Sequence, residues 1–182
     1  MSMQKKNTSI FIRASTAQDM RTVTSIYAYE VERGLATFEI DVPDVEEMMR
    51  RRLSILKQGL PFLVAVKKGD VLGYAYASPF RPRPAYRFTV EDSIYISPAA
   101  QGQGIGKRLL MEVIDFCETR GYRQMIAAIG DSANTGSIGL HRSLGFDKMG
   151  IQKSVGFKLD RWVDVVIMQR TLGEGGTVLP GN

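Results

Sequence analysis

The chain has 182 residues, a hydrophobic share of 44%, a charged share of 24% and a formal net charge of +5. That length suits one α/β domain with its own core, and the single cysteine, Cys117, excludes an internal disulfide framework and a cysteine-rich zinc site. No apolar run approaches the roughly 20 residues of a membrane span, and the start Met1-Ser-Met-Gln-Lys-Lys lacks the apolar stretch of a secretion signal. Cytoplasmic residence is therefore expected, with no membrane partner. The positive charge attracts polyanions generally. Its Lys and Arg residues are scattered rather than blocked, so a small anionic cofactor accounts for them as well as nucleic acid does.

Residues 1–8 and 173–182 are polar or glycine-rich and read as flexible tails around a single domain over 9–172. Ile10–Arg13 predicts a short strand. Ser15 or Thr16 then caps a helix with Met20, Val23, Ile26, Tyr27 and Val31 at helical spacing, closed by Gly34. After Ala36–Val42, Pro43 opens a second helix, whose inward stripe reads as Val45, Met48, Met49, Leu53 and Leu56, ending at Gly59. Phe62–Val66 and Val71–Ala77 are strands joined by the turn Lys67-Lys68-Gly69-Asp70. A basic, proline-rich connection, Phe80–Phe88, precedes the strand Thr89–Ser97, which stops at Pro98.

The glycine-rich turn Gln101-Gly102-Gln103-Gly104-Ile105-Gly106-Lys107 comes next and leads into a helix that starts near Lys107 and closes at Gly121. Consecutive backbone N–H groups at a helix N-terminus, with the positive end of its dipole, suit a phosphate or pyrophosphate. A tight turn that uses glycine only for positive φ would look the same locally. The helical row Leu109, Leu110, Val113, Ile114 and Cys117 predicts a buried structural thiol rather than a reactive one. Gln124–Ile129 is a strand, Ser137–Leu144 a short helix closed by Gly145, and Phe146–Ile151 with Val163–Leu172 a final strand pair. The order β-α-α-β-β-β-α-β-α-β-β predicts a mixed sheet with helices on both faces.

Gln101-x-x-Gly104-x-Gly106 after a strand resembles the acetyl-CoA signature of the GNAT superfamily of N-acetyltransferases. Thr89-Val-Glu-Asp-Ser-Ile-Tyr-Ile-Ser97, Ala127-Ala-Ile129, Asn134, Ser137-Ile-Gly-Leu-His-Arg-Ser-Leu-Gly-Phe146, Gly156-Phe-Lys-Leu-Asp-Arg-Trp162 and Asp164 narrow the likeness. Together they resemble the branch that acetylates phosphinothricin, methionine sulfone and methionine sulfoximine. The resemblance implies the acyl-CoA N-acyltransferase fold, α/β or α+β by scheme. Its sheet is mostly antiparallel and splayed between its fourth and fifth strands. It also implies acetyl-CoA as co-substrate, no metal, a small amine acceptor and a homodimer.

Residue by residue, the resemblance places the pantetheine arm along the backbone of Ile94, Tyr95 and Ile96. It places the pyrophosphate on Gln101, Gly102, Gln103, Gly104, Ile105, Gly106 and Lys107, and a further cofactor contact on Asn134. Glu91 becomes the carboxylate that takes a proton from the incoming ammonium, and the Ile96 N–H the donor to the developing oxyanion. Many superfamily members carry a tyrosine near His141, the only histidine here, so its role as acid or base stays open. Arg81, Pro82 and Arg83 match the branch's substrate loop, where a guanidinium suits phosphinate or sulfone oxygens. Val90 and Phe38 complete the implied acceptor pocket, although a core aromatic or a solvated loop explains such residues equally well. A protein N-terminus, a lysine or a polyamine remains open as acceptor, as does a non-catalytic acyl-CoA sensor.

Overall fold

In a computed structural model, residues 9–179 are described. Seven strands form one sheet in the order β1-β2-β3-β4-β5-β7-β6. The strands are β1 Phe11–Ala14, β2 Phe62–Lys67, β3 Asp70–Pro79, β4 Thr89–Ile96, β5 Gln124–Gly130, β6 Asp147–Lys158 and β7 Arg161–Thr171. Every neighbouring pair is antiparallel except β4–β5, which is parallel. The helices are α1 Met20–Arg33, α2 Val45–Lys57, α3 Ile105–Thr119 and α4 Thr135–Ser143. This is the mixed sheet that the element order predicts, and it is mostly antiparallel as the resemblance implies.

Strand alternation decides which helix covers which face. Tyr74 and its direct partner Tyr95 stack at 5.2 Å between ring centroids, and Tyr27 of α1 meets Tyr95 edge-on at 5.1 Å. The odd-numbered positions of β4 therefore face α1 and α2. On the other face, Ile94 and Ile96 lie under Gly106 of α3 and Leu140 of α4. Core side chains fill both layers, including Phe62, Tyr74 and Met20 on the first and Leu109, Leu110, Val113 and Cys117 along α3. Cys117 is fully buried, as its helical row predicts, and burial pushes its thiol up to about 12.

Two expectations need correction. On α2 the inward residues are Met48 and Ile55, with Met49 beside them, whereas Val45, Leu53 and Leu56 are exposed. Arginines occupy the rest of the inward row: Arg51 reaches Glu39 and Arg52 reaches Ser15, their stems lying along the helix while the heads find oxygen. The final hairpin is also longer than its apolar runs suggest. β6 continues to Lys158, past a register shift between Gln152 and Gly156, and β7 starts at Arg161.

The expected tail from residue 173 opens with a turn, in which Gly175 N–H donates to Leu172 O and Glu174 pairs with Arg123 at 3.0 Å. Residues 1–8 and 180–182 lie outside the described residues.

Candidate active site

The parallel pair β4–β5 is short. It runs through Thr89–Gln124, Val90–Met125 and Glu91–Ile126 and carries no pairing beyond. Past that point the two strands leave a gap. Ser97 N–H donates to Leu72 O on β3 at 2.9 Å. Since successive backbone groups of a strand point to alternate sides, the amides of Ile94 and Ile96 aim away from β3, into the gap. An extended chain laid there would add to β4 as another strand does.

One end of the gap is closed by the glycine turn. Pro98 halts β4, a single 3-10 turn spans Pro98–Ala100, and both Gly102 and Gly104 sit at φ 73°. Only glycine adopts that backbone without strain. The turn delivers the chain to α3 at Ile105, two residues earlier than the sequence pattern suggests. First-turn amides of a helix lack intrahelical acceptors, so this end offers donors to an anion. A cavity of about 650 Å³ joins the turn to the β4 edge. Ile94, Tyr95, Ile96, Gln101, Gly102, Gly104, Ile105, Gly106, Lys107 and Asn134 all line it. Gln103 does not, because its side-chain amide turns back to Ala99 O at 3.4 Å. Asn134 also caps α4, accepting from Ser137 N–H at 3.1 Å. Glycine at 130 lets Leu35 O approach the opposite wall, where a Cβ would overlap it.

A second cavity, about 250 Å³, continues through the gap and shares Ala36, Ile94, Tyr95, Gly130, Asn134 and Ser137 with the first. Phe38, Glu91, Asp92 and His141 line its remaining walls. Phe38 comes from the connection after α1, and its ring lies against Gly156 of β6, where a Cβ would overlap it. Glu91 is held above the ordinary carboxylate range, first by burial and then by the Asp92 charge, with Arg81 pulling the other way. A carboxylate so placed is a better proton acceptor near neutrality than a free one.

The substrate loop is placed differently from the rest. Arg81 lies outside the cavity lining with its guanidinium over the Phe80 ring at 4.9 Å, and acts on Glu91 through its charge. Pro82 and Arg83 are exposed and line neither cavity. Val90 lines neither cavity: its side chain is wholly buried beside Met125, because even-numbered β4 positions before the gap point into the α3 layer.

Sequence reasoning missed Asp92. The His141 ring is buried, with Nδ1 at 2.7 Å from Ser137 O and Nε2 at 3.1 Å from Asp92 Oδ2. Its edge packs on Phe146 at 5.0 Å. Asp92 and Ser137, through Nε2 and the Nδ1 contact, raise the ring above its ordinary value against the opposing effect of burial, the largest single influence. The available signal was strand parity: Asp92 shares the face of Ile94 and Ile96, which α4 with the sole histidine covers.

A splayed sheet, a donor-rich glycine turn and a carboxylate at the point of splay define an acyl-transfer site. Residues 24–146 match the acetyltransferase (GNAT) family, and the chain belongs to that family of N-acetyltransferases. It is 52% identical over 169 residues to a phosphinothricin N-acetyltransferase of Alcaligenes faecalis, covering 93% of this chain and 86% of that one. It is 36% identical to an L-methionine sulfoximine/L-methionine sulfone acetyltransferase of Salmonella typhimurium, covering 90% and 95%. Among solved structures, a GNAT superfamily phosphinothricin acetyltransferase from Sinorhizobium meliloti in complex with AcCoA superposes with a TM-score of 0.92 at 49% identity, covering 95% of this chain and 94% of that one.

Proposed function

We propose that this enzyme transfers the acetyl group of acetyl-CoA to the α-amine of a small amino-acid analogue, with phosphinothricin, methionine sulfoximine and methionine sulfone as the acceptor class. The observation that carries the reading is the run of shared walls linking the glycine turn, the free β4 edge and Glu91. The larger cavity suits a long ligand with a diphosphate at one end and an extended amide arm. Acetyl-CoA supplies an acetyl thioester at the junction of the two cavities. Gly104, Ile105, Gly106 and Lys107 hold the diphosphate through backbone amides, and Ile94 and Ile96 hold the arm as a β-strand. The Ile96 N–H donates to the carbonyl oxygen as negative charge develops there.

The acceptor arrives largely as ammonium. Glu91 takes its proton, directly or through a water, and frees the lone pair for attack on the thioester carbon. Phe38 walls the acceptor, Arg81 attracts its anionic end, and His141 contributes from below the gap. As the C–S bond breaks, the thiolate takes the second proton that the nitrogen sheds on becoming an amide, and Glu91 returns the first to solvent. Cys117 takes no part as an acyl carrier, being buried in the α3 layer.

We further propose a homodimer working in the cytoplasm. The β6–β7 hairpin exposes Met149, Val155, Phe157, Leu159 and Trp162, with Trp162 65% exposed and edge-on to Phe157 at 5.3 Å. Exposed apolar side chains along one hairpin, two of them in contact, suit a second copy of the chain. Trp162→Glu should convert dimer to monomer in sedimentation velocity; a parent that sediments as a monomer rules the interface out. A lone buried thiol without disulfides fits a reducing compartment.

Thiol release from acetyl-CoA across a panel of phosphinothricin, methionine sulfoximine, methionine sulfone, a polyamine and a peptide N-terminus tests the acceptor class. Glu91→Gln should lower kcat by roughly 100-fold or more while calorimetric affinity for acetyl-CoA stays within about threefold. Equal rates for variant and parent remove Glu91 from the mechanism. Tight cofactor binding with no turnover of any amine replaces the enzyme by a sensor.

A further inference from the structure

His141 has no ring nitrogen to spare. Ser137 O can only accept, and at 2.7 Å from Nδ1 it requires that nitrogen to carry a hydrogen. The Ser137 hydroxyl, at 3.4 Å from the same nitrogen, is too distant to compete. With Nδ1 protonated, a neutral ring would turn the bare lone pair of Nε2 toward the carboxylate oxygen Asp92 Oδ2, 3.1 Å away. Two acceptors do not form a hydrogen bond, so a second proton belongs on that line. Both side chains are almost fully buried, at 3% and 2% exposure, so solvent cannot stand in for it.

The other carboxylate oxygen, Asp92 Oδ1, is buried and receives no hydrogen bond from any protein group among the described residues. Leaving a buried acceptor unmatched costs about 1–3 kcal/mol. Asp92 belongs to the wall of the acceptor cavity next to Glu91 on β4, with its carboxylate turned away from the open space.

We propose that Asp92 and His141 form one unit, an imidazolium held against a carboxylate by a proton kept on Nε2, and that this unit ties β4 to α4 beside the acceptor cavity and so fixes the strand position from which Glu91 reaches the amine. Asp92 is thereby a positioning residue of the transfer reaction. It anchors β4 on the α3–α4 side while Glu91 takes the ammonium proton on the α1–α2 side. The imidazolium offsets part of the Asp92 charge next to Glu91.

The groups facing the pair are few. β4 contributes Asp92 and its chain neighbour Glu91, and α3 contributes Cys117, whose thiol is held neutral by burial and by the Asp92 charge. β5 lines the same space with Ala127, Ala128 and Ile129, none of which titrates, and Phe146 covers the ring. This inference rests on the acetyltransferase reading for its catalytic half only.

His141 is the only histidine in the chain, so a long-range proton–nitrogen NMR spectrum of the uniformly labelled protein reports one imidazole. In the parent both ring nitrogens should be protonated at pH 7, because an acceptor oxygen faces each of them, at 2.7 and 3.1 Å. Asp92→Asn keeps the shape but lets an amide N–H donate to Nε2, so its ring should be neutral at pH 7 with Nδ1 alone protonated. That variant should bind acetyl-CoA within about threefold of the parent, showing that it folds, while kcat drops roughly 10- to 100-fold. A parent ring neutral at pH 7 overturns the shared proton, and this spectrum decides the point whether or not the variant folds. An Asp92→Asn kcat equal to the parent's overturns the positioning role. A parent that turns over no amine fails the acetyltransferase reading instead, and the imidazole spectrum still decides whether the pair shares its proton.

Discussion

Gly73 of β3 sits directly opposite Ile96 of β4, the residue whose amide is assigned to the reacting carbonyl. A Cβ there would lie 2.6 Å from Ile96 Cδ1, 2.9 Å from Tyr95 O and 3.3 Å from Ile96 Cα. Ordinary contact is about 3.5–4.0 Å. The Ile96 methyl must therefore retreat by about 1 Å and the two backbones part by about half that. Tyr95 O and Ile96 Cα belong to the β4 backbone and retreat only if the strand itself moves. Gly73→Ala thus wedges β4 away from β3 and toward the N-terminus of α3.

Overpacking of this sort costs about 1–3 kcal/mol, offset by roughly 0.5–1 kcal/mol for removing a glycine from a strand. The net loss of about 1–2 kcal/mol lowers Tm by roughly 2–8 °C in a chain of this size. The larger effect falls on the cofactor. Displacing the Ile96 amide and the glycine turn weakens one or two hydrogen bonds, about 1–2 kcal/mol, and raises Kd for acetyl-CoA roughly 5- to 30-fold. Calorimetric titration with acetyl-CoA, beside a thermal melt, measures both. Ile96→Val deletes the crowded δ-methyl, so Gly73→Ala/Ile96→Val should recover part of the lost affinity, a coupling that independent sites would not show. An unchanged Kd in Gly73→Ala, or strictly additive losses in the double variant, refutes the wedge argument.

The same logic applies to Gly156, where a Cβ would overlap the Phe38 ring. Gly156→Ala should raise KM for the acceptor about 3- to 10-fold, equivalent to roughly 1 kcal/mol of lost apolar contact, with KM for acetyl-CoA unmoved; an unmoved acceptor KM removes Phe38 from the pocket wall. Asp19 binds Arg13 through both oxygens at 2.7 and 2.8 Å and accepts from Thr16 N–H, and the Arg13 hydrogen bonds are the chief reason its carboxyl falls from 3.8 to about 2. A depressed acid stabilises the fold above its unfolded value and loses that contribution as pH falls toward the folded one. About 2 kcal/mol at most should therefore vanish between roughly pH 4 and pH 2. Urea titrations of Asp19→Asn should show a lower stability at pH 7 and a flatter profile in that window; a parent profile with the same flatness contradicts the pairing.

Much of this fold was legible because its elements are strongly periodic and sharply punctuated. The rows Met20–Val31 and Leu109–Cys117 end at residues that cannot continue a helix, and Gly102 and Gly104 sit at positive φ as their context requires. Two things were hidden for physical reasons. On α2, arginine stems cover the core almost as hydrocarbons do, so counting apolar letters put the stripe on the wrong side. In β6 the stretch Ile151–Val155 is exposed throughout, which erases the alternation that marks a strand; pairing with β7 supplies the order instead. Within the site, the residues proposed for the cofactor were readable because they would act through backbone geometry, which glycine spacing advertises. Those proposed for the acceptor would act through side chains brought together from β4, α4 and the segment after α1, and no local pattern announces such a meeting.

Strand parity has a further consequence for the chemistry. Adjacent residues on an intact sheet point to opposite faces and cannot serve one ligand. Glu91 and Asp92 line one cavity only because β5 stops pairing at Ile126, so the cavity passes through the sheet rather than lying on it. An acceptor lodged there would meet Glu91 on the α1–α2 side, while the Asp92–His141 pair braces β4 from the other layer. Any change that extended the β4–β5 ladder by even two residues would close this passage. The enzyme would then keep its glycine turn and much of its cofactor grip while Glu91 and Asp92 were returned to separate faces. Loss of turnover with retained cofactor binding is thus the signature of a zipped sheet. Loss of both instead points to damage at the turn.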